Sequence, residues 1–431
     1  MPRHRRRMAA IEQRSREGGV EREALQRSAY GAGHFAKSLA WTFTDLLLAY
    51  YANVRVGLSA RETGLLLFLS MAYGAALDAV VAYVLRHAEG SRRRILQIQF
   101  LAGLVTAAAL LVVFLPRFGS VAPFTYLIVT LGLLRTGYAV YDVAQNALVS
   151  LLPADEADAH RYVVLRQTLS AVARLCVAAL SFLIVDKTAP AGREVLLAGA
   201  IAMLIVATAS WILAWAGPAR AVPQRPAAVG LRLPRGAARL LLAAAVHSGP
   251  FSMTARMLTF VERGGPDDHT GASLLFALVL GTLIGPITIG RLRHEAGGPG
   301  VALAFAALGV VAGAGFLVDP WSGVPALVAC CAYGVSLGAT MTLFWRGMSA
   351  VVRDHARRTG ERTDLAAFAL LTASLKLASA VFGGAVGLSL DGFRAGQWTT
   401  LLGLGVVTTL GGVCFVALIA PVERGRAPQH V

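Results

Sequence analysis

The chain has 431 residues, of which 56% are apolar and 15% charged, with a net charge of +16 and a mean hydropathy of +0.61. Soluble domains carry about a quarter charged residues, so this balance excludes most enzyme classes, secreted disulfide scaffolds and disordered tails. At about 20 apolar residues per bilayer crossing, the apolar content suffices for roughly twelve spans and little else.

The opening MPRHRRRMAAIEQRSREGG is basic but leads into polar sequence, not into the short apolar region and small-residue cleavage site of a signal peptide. Residues 1–33 are therefore expected to form a mobile cytoplasmic arm. Apolar stretches then predict spans near 34–55, 62–85, 95–115, 122–152, 163–186, 194–216, 238–261, 271–290, 299–318, 324–352, 366–390 and 398–420. Most of the 40 Lys and Arg fall in the arm, in alternate loops and in the tail 421–431. That is the positive-inside asymmetry, which predicts an inner (plasma) membrane protein with both termini cytoplasmic. The positive charge thus reads as a membrane address, and no nucleic-acid partner is expected. Residues 217–237 are rich in Pro, Gly and Arg and contain no acid, the composition of a linker. They divide the chain into segments 34–216 and 238–420, each with six predicted spans. The string LRHAEG at Leu85–Gly90 recurs as LRHEAG at Leu292–Gly297, at equivalent places in the two halves, which argues for a parallel repeat. The expected fold is an all-α integral membrane protein, with twelve transmembrane helices in two six-helix bundles.

Ionisable groups at helix centres in a bilayer cost at least ~2.5–3.5 kcal/mol each and usually face a cavity or a partner. The predicted spans carry Lys37, Asp45, Asp78, Arg135, Asp142, Arg166, Arg174, Arg256, Arg346 and Lys376. Lys37, Arg174 and Arg256 read equally well as helix-end side chains whose heads reach the interface, whereas Asp78, Asp142 and Lys376 sit deeper. Arg135 and Asp142 are two turns apart and share a helix face. Asp78 has no basic neighbour in its own span, so its partner must come from another helix. Three deep acids (Asp45, Asp78, Asp142) against at least four deep bases (Arg135, Arg166, Arg346, Lys376) lean toward an anionic solute.

Soluble-enzyme motifs find no context. Gly334-Val335-Ser336-Leu337-Gly338 matches a nucleophile elbow but lies in an apolar helical run without a strand before it. Small residues for close helix packing explain it better, as they do for Gly281–Gly285 and Gly383–Gly387. His294-Glu295 lacks the second His of a zinc site, and there is no P-loop to bind ATP. Cys176, Cys330, Cys331 and Cys414 sit in apolar runs without metal-site or disulfide spacing. Neither an enzyme, a cofactor nor a metal is expected.

The order of several short motifs is similar to that of the glycoside-pentoside-hexuronide:cation symporter family, the melibiose permease-like branch of the major facilitator superfamily. Tyr30-Gly31-Ala32-Gly33-His34-Phe35-Ala36-Lys37 resembles its Y-G-x-G-x-F-G-K opening, followed by Tyr50-Tyr51 and Gly57-Leu58-Ser59. The match resumes at Asp78, Tyr141-Asp142, Leu343-Phe344-Trp345, Asp354, Thr359-Gly360-Glu361-Arg362 and Lys376. The resemblance implies that Asp142 accepts from solute hydroxyls, that Arg166 stands beside it and that Trp345 covers an apolar sugar face. With them Ser38, Asn146, Thr372, Arg135 and Arg346 are expected at the substrate. Asp78 and Lys376 resemble the family's coupling pair. The first helix-two acid of the family is replaced here by Gly74, its Trp by Tyr73, and the helix-one acid by Ser38. Sodium wants several hard oxygens, while a lone Asp78 facing Lys376 can exchange a proton, so a proton is expected as coupling ion, if any, ahead of sodium.

These readings predict a secondary transporter, monomeric in the lipid bilayer, that moves a small polar solute such as a sugar, glycoside or uronide. The alternatives are a lipid or lysolipid transporter of the same fold, and a non-transporting membrane sensor or scaffold.

Overall fold

The computed structural model describes residues 2–85, 92–115, 121–153, 156–184, 192–215, 233–261, 269–292, 299–318, 323–361, 363–394 and 411. Within them the chain forms eleven α-helices and no strand. They are α1 (Pro2–Tyr50), α2 (Ala60–Leu85), α3 (Arg92–Phe114), α4 (Pro123–Leu151), α5 (Glu156–Ile184) and α6 (Arg193–Trp215). The second series comprises α7 (Ala237–Leu258), α8 (Thr270–Arg291), α9 (Pro299–Val318), α10 (Gly323–Thr359) and α11 (Asp364–Arg394). The candidate twelfth span and most of the 217–237 linker lie outside the described residues. Among the described residues, eight helices are long and apolar enough to cross a membrane by length and composition. Helices α1 and α7 carry charge inside their apolar stretches, Lys37 and Asp45 in one and Arg239 and Arg256 in the other, which lowers their hydropathy.

Among the described residues the expected span boundaries hold to within a few residues, except at the start of α1, at the end of α10 and at the start of α5, which begins at Glu156, seven residues before the expected 163. The arm is not an irregular segment: α1 begins at Pro2 and runs unbroken into the first span. Its Glu, Gln, Arg and Ala residues are all strong helix formers, and with no apolar face they leave no periodic signal. Helix α10 runs past its apolar part to Thr359, ending on Arg357 and Arg358, whose charge suits a helix C-terminus.

The junction after α1 shows how the Gly57-Leu58-Ser59 motif works. A single π-turn, Tyr51–Arg55, closes the helix, and Gly57 takes φ 82°, a left-handed conformation that favours glycine. Ser59 and Glu62 then form a reciprocal cap on α2: the Ser59 N–H donates to Glu62 Oε2 (2.9 Å) and the Glu62 N–H donates to Ser59 Oγ (3.2 Å).

Helices α1 to α6 pack mainly among themselves, as do α7 to α11, and the two groups meet chiefly along α2 against α11 and α5 against α8, with further contact of α1 with α7 and of α10 and α11 with α5 and α4. Glycines permit the closest approaches. A Cβ on Gly64 of α2 would lie 2.7 Å from the Gly387 Cα of α11, so those backbones touch. Gly281 and Gly285 of α8 abut the backbone of α10, and Gly334 and Gly338 of α10 abut that of α8. The 334–338 string is therefore a helix-packing surface. Successive helices run in opposite senses, so Asp45, Gly64, Phe182, Arg256, His269 and Gly387 all lie toward one end of the assembly, the end at which α1 stops. There the two groups are held together by an Asp45–Arg256 ion pair, by the Tyr50 and Phe260 rings and by Phe182 against His269 and Phe276.

Candidate functional site

A cavity of about 210 Å³ lies between the two groups of helices. One wall comes from α1, α4 and α5, with His34, Lys37, Ser38, Trp41, Asp45, Tyr138, Asp142, Arg166, Gln167, Ser170 and Arg174. The facing wall comes from α7, α8, α10 and α11, and mixes Phe251, Val279, Leu337, Met341 and Leu375 with Trp345, Thr372, Lys376 and Ser379. The first wall is largely polar and charged, and the facing wall, which also includes Ser248 and Ser252, is mixed.

Each carboxylate in this region has its own base. Lys376 Nζ of α11 donates to Asp78 Oδ1 of α2 at 2.6 Å and stands 3.5 Å from Asp142 Oδ2 of α4. Lys37 Nζ of α1 donates to Asp142 Oδ1 at 2.6 Å and to Asn146 Oδ1 at 3.1 Å. The four charges form a chain, Asp78–Lys376–Asp142–Lys37, that crosses from one helix group to the other and back. Its lysine on α11 also lies over the Trp41 and Tyr138 rings, at 5.5 and 5.4 Å from their centroids, as cation–π attraction favours. The third carboxylate, Asp45, is held by Arg256, whose guanidinium is 0% exposed. All three nitrogens of Arg256 donate: Nε to the Asp45 carbonyl (3.1 Å), Nη1 to the Ser379 carbonyl (3.1 Å), and Nη2 to Asp45 Oδ1 (2.5 Å) and Ser379 Oγ (2.8 Å). Gly383 leaves room for it, since a Cβ there would come within 2.7 Å of Nη1.

Arg166 differs. Its Nη2 donates to Asn146 Oδ1 at 2.9 Å and its guanidinium carbon sits 3.2 Å from the Trp345 ring centroid. Its Nε and Nη1 are buried with no hydrogen-bond partner among the described residues. Trp345 in turn stacks on Phe368 at 5.3 Å and 11°. Arg174, two turns along α5, reaches the Ser170 carbonyl of its own helix at 3.4 Å.

Of the residues expected at the substrate, Asp142, Arg166, Trp345, Ser38 and Thr372 line the cavity, and Asn146 lies behind them, joining Lys37, Asp142 and Arg166. Asp78 is fully buried behind Lys376. Two expected residues stand away from the cavity lining. Arg135 is buried against α2, with Nε donating to Ser70 Oγ at 3.0 Å and its guanidinium 5.0 Å from the Trp41 centroid. The Cδ of Arg135 and that of Lys376 lie 3.6 and 3.8 Å from where a Gly74 side chain would begin, so these two aliphatic stems border the space left by the missing acid. Arg346 is only half-buried, because Trp345 takes the cavity face of α10 and the next residue is turned about 100° away. The cavity charge therefore comes from a different set of bases: Lys37, Arg166, Arg174 and Lys376, against Asp45 and Asp142. Lys37 and Arg256, which read equally well as interfacial side chains, are 3% and 0% exposed. Tyr73, in place of the family's Trp, points outward and bonds Thr136 at 3.1 Å.

Comparison with protein families matches residues 29–420 to the family described as MFS/sugar transport protein. No curated protein matches the chain. The matched region starts one residue before the Tyr30 motif, contains every residue of the cavity and covers more than half of the chain. The chain therefore belongs to the MFS/sugar transport protein family, as an all-α, multi-pass membrane protein of transporter type and not of enzyme type.

Proposed function

We propose that the protein is a secondary active transporter that moves a small polar solute of the sugar, glycoside or uronide class across the cell inner membrane by alternating access. The observation that carries this reading is a cavity between the two helix groups, with charged side chains from α1, α4, α5 and α11 on its walls. At 210 Å³ it is smaller than the roughly 300–1,000 Å³ of drug-sized sites, in keeping with a small solute. Ser38, Arg166 and Thr372 supply polar contacts, with Asn146 behind them, and Trp345, whose ring lies under the Arg166 guanidinium and stacks on Phe368, lines the cavity beside the arginine. An amphiphile would ask for fewer polar groups than these walls hold. A sensor or scaffold would not need an ion-pair chain that spans both helix groups.

The coupling ion in this reading is a proton, carried by Asp78. Lys376 belongs to α11 and its carboxylate partners to α2 and α4, so motion of one group against the other parts them. An ionised carboxylate left without its partner in a low-dielectric interior is costly, and binding a proton removes that cost. In alternating access, proton binding and release would then occur on opposite sides of the membrane. Uptake into proteoliposomes tests this. Accumulation should be driven by an imposed inward proton gradient and indifferent to sodium, while Asp78→Asn should keep exchange and lose accumulation. Sodium-driven accumulation, or undiminished accumulation by Asp78→Asn, would reject the coupling.

A further inference from the structure

We propose that the Asp45–Arg256 pair is the lock on the solute path at the end where α1 stops, and that parting it is the step that opens the cavity to the outside. The inference rests on the alternating-access reading above and gives it two named positioning residues.

The first support is placement. Lys376 of α11 joins the two helix groups beside the cavity, through Asp78 and Asp142, and Arg166 of α5 joins them farther from the end of α1, by resting on Trp345 of α10. Asp45 lines the cavity on the other side, nearer to that end. Beyond it, toward the end of α1, the Tyr50 and Phe260 rings meet at 6.3 Å and both residues are buried. Farther round the same end, Gly64 and Gly387 bring the backbones of α2 and α11 into contact. A solute passing between the cavity and this end must therefore part Asp45 from Arg256. With both termini cytoplasmic, as the distribution of Lys and Arg predicts, this end faces outward.

The second support is the unequal way in which the partners are held. Arg256 is seated by its own helix group: Nη1 donates to the Ser379 carbonyl and Nη2 to Ser379 Oγ, and Ser379 Oγ is 2.8 Å from Ser252 Oγ on α7. Only its two bonds to the Asp45 carbonyl and carboxylate cross to the other group. Asp45 belongs to α1, whose end is tied to α6 by the Arg55–Glu194 ion pair at 3.1 Å, so it moves with the first group. Its side chain is 18% exposed, against 0% for Arg256. When the groups part, the arginine keeps two acceptors on α11, and the carboxylate, already at the cavity wall, is met by the water that enters. Breaking a buried pair is costly because it strands a charge. Here the charge that moves is the one that water can reach, which lets the contact break and re-form.

Sided labelling tests the lock. Thr42 lies in the cavity wall one turn before Asp45 and is buried, so Thr42→Cys reports when the cavity opens. An impermeant maleimide is added to intact cells and to inside-out vesicles, and the parent protein supplies the background from its own cysteines. Asp45→Asn is expected to raise the outside rate about tenfold, the population shift that follows from losing one charge-assisted hydrogen bond, without raising the inside rate. Arg256→Lys keeps the charge but loses the fork, and should give a smaller rise of the same sidedness. An unchanged outside rate in Asp45→Asn would overturn the proposal, as would a rise confined to the inside. An equal rise from both sides would also overturn it, because it would mark general loosening and not a lock. If Asp45→Asn does not fold, Arg256→Lys is held to the same outcomes. Neither solute nor ion gradient enters this measurement, so its failure leaves the sugar and proton readings to the uptake assay, and their failure leaves the lock standing.

Discussion

Arg256 and Arg166 are both guanidinium groups buried in the membrane-spanning part of the protein, but they are buried in opposite ways. Arg256 spends every nitrogen on α1 and α11 and has a carboxylate for its charge. Arg166 bonds one side chain, rests on Trp345 and leaves two nitrogens without partners. A saturated buried ion stabilises the arrangement that saturates it, and breaking the pair strands a charge. An unsaturated one contributes little to the resting structure and reserves its interaction for something that arrives. The degree of saturation, more than burial or charge, separates a fastening between helices from a position for a ligand.

The largest effect should follow from breaking the saturated group. Arg256→Met leaves Asp45 without its counter-ion and is expected to lower stability by about 3 kcal/mol, measured by thermal unfolding in detergent. Asp45→Asn in the same molecule should recover part of the loss, and a failure to do so would show that packing, not charge, is what Arg256 supplies. Arg166→Met should reverse the pattern, lowering solute affinity about tenfold or more while moving the unfolding temperature less than Arg256→Met. Equal destabilisation by the two would erase the distinction. A background scale comes from Ser59→Ala, remote from both arginines, which removes the α2 cap and should cost about 1 kcal/mol without affecting solute binding.

Much of this architecture can be read ahead of the coordinates. Long apolar runs mark the helices because a bilayer demands them, and the ordered motifs shared with the transporter family lead one to expect Asp78 near Lys376 and Asp142, Arg166, Trp345 and Ser38 around one space, which is where they lie. Pairings between distant helices are harder to read. Asp45 and Arg256 are 211 positions apart, and nothing local says that they meet. The direction in which a charge points is hidden as well, since the lipid-facing and protein-facing sides of a span are both apolar. Lys37 and Arg174 for this reason read like interfacial side chains until the packing of α1 against α5 turns them inward. Arg346 shows the converse: a deep charge next to a cavity residue need not line the cavity, because one position along a helix is a rotation of about 100°. The helical arm carries no apolar stripe, so only residue propensity foretells it.

Of the six tryptophans, Trp41 and Trp345 line the cavity, on opposite walls, and each lies under a cation. Trp345 has the Arg166 guanidinium at 3.2 Å, and Trp41 has Lys376 and Arg135 at 5.5 and 5.0 Å. A positive charge against an indole alters the energy and yield of its emitted light, so each ring reports on the cation beside it. A solute that draws on Arg166 would change the emission of Trp345, while a displacement of Lys376 would change that of Trp41. With the two rings exchanged for phenylalanine one at a time, occupancy of the solute site and rearrangement of the ion-pair chain become two separable optical signals from the same unlabelled protein.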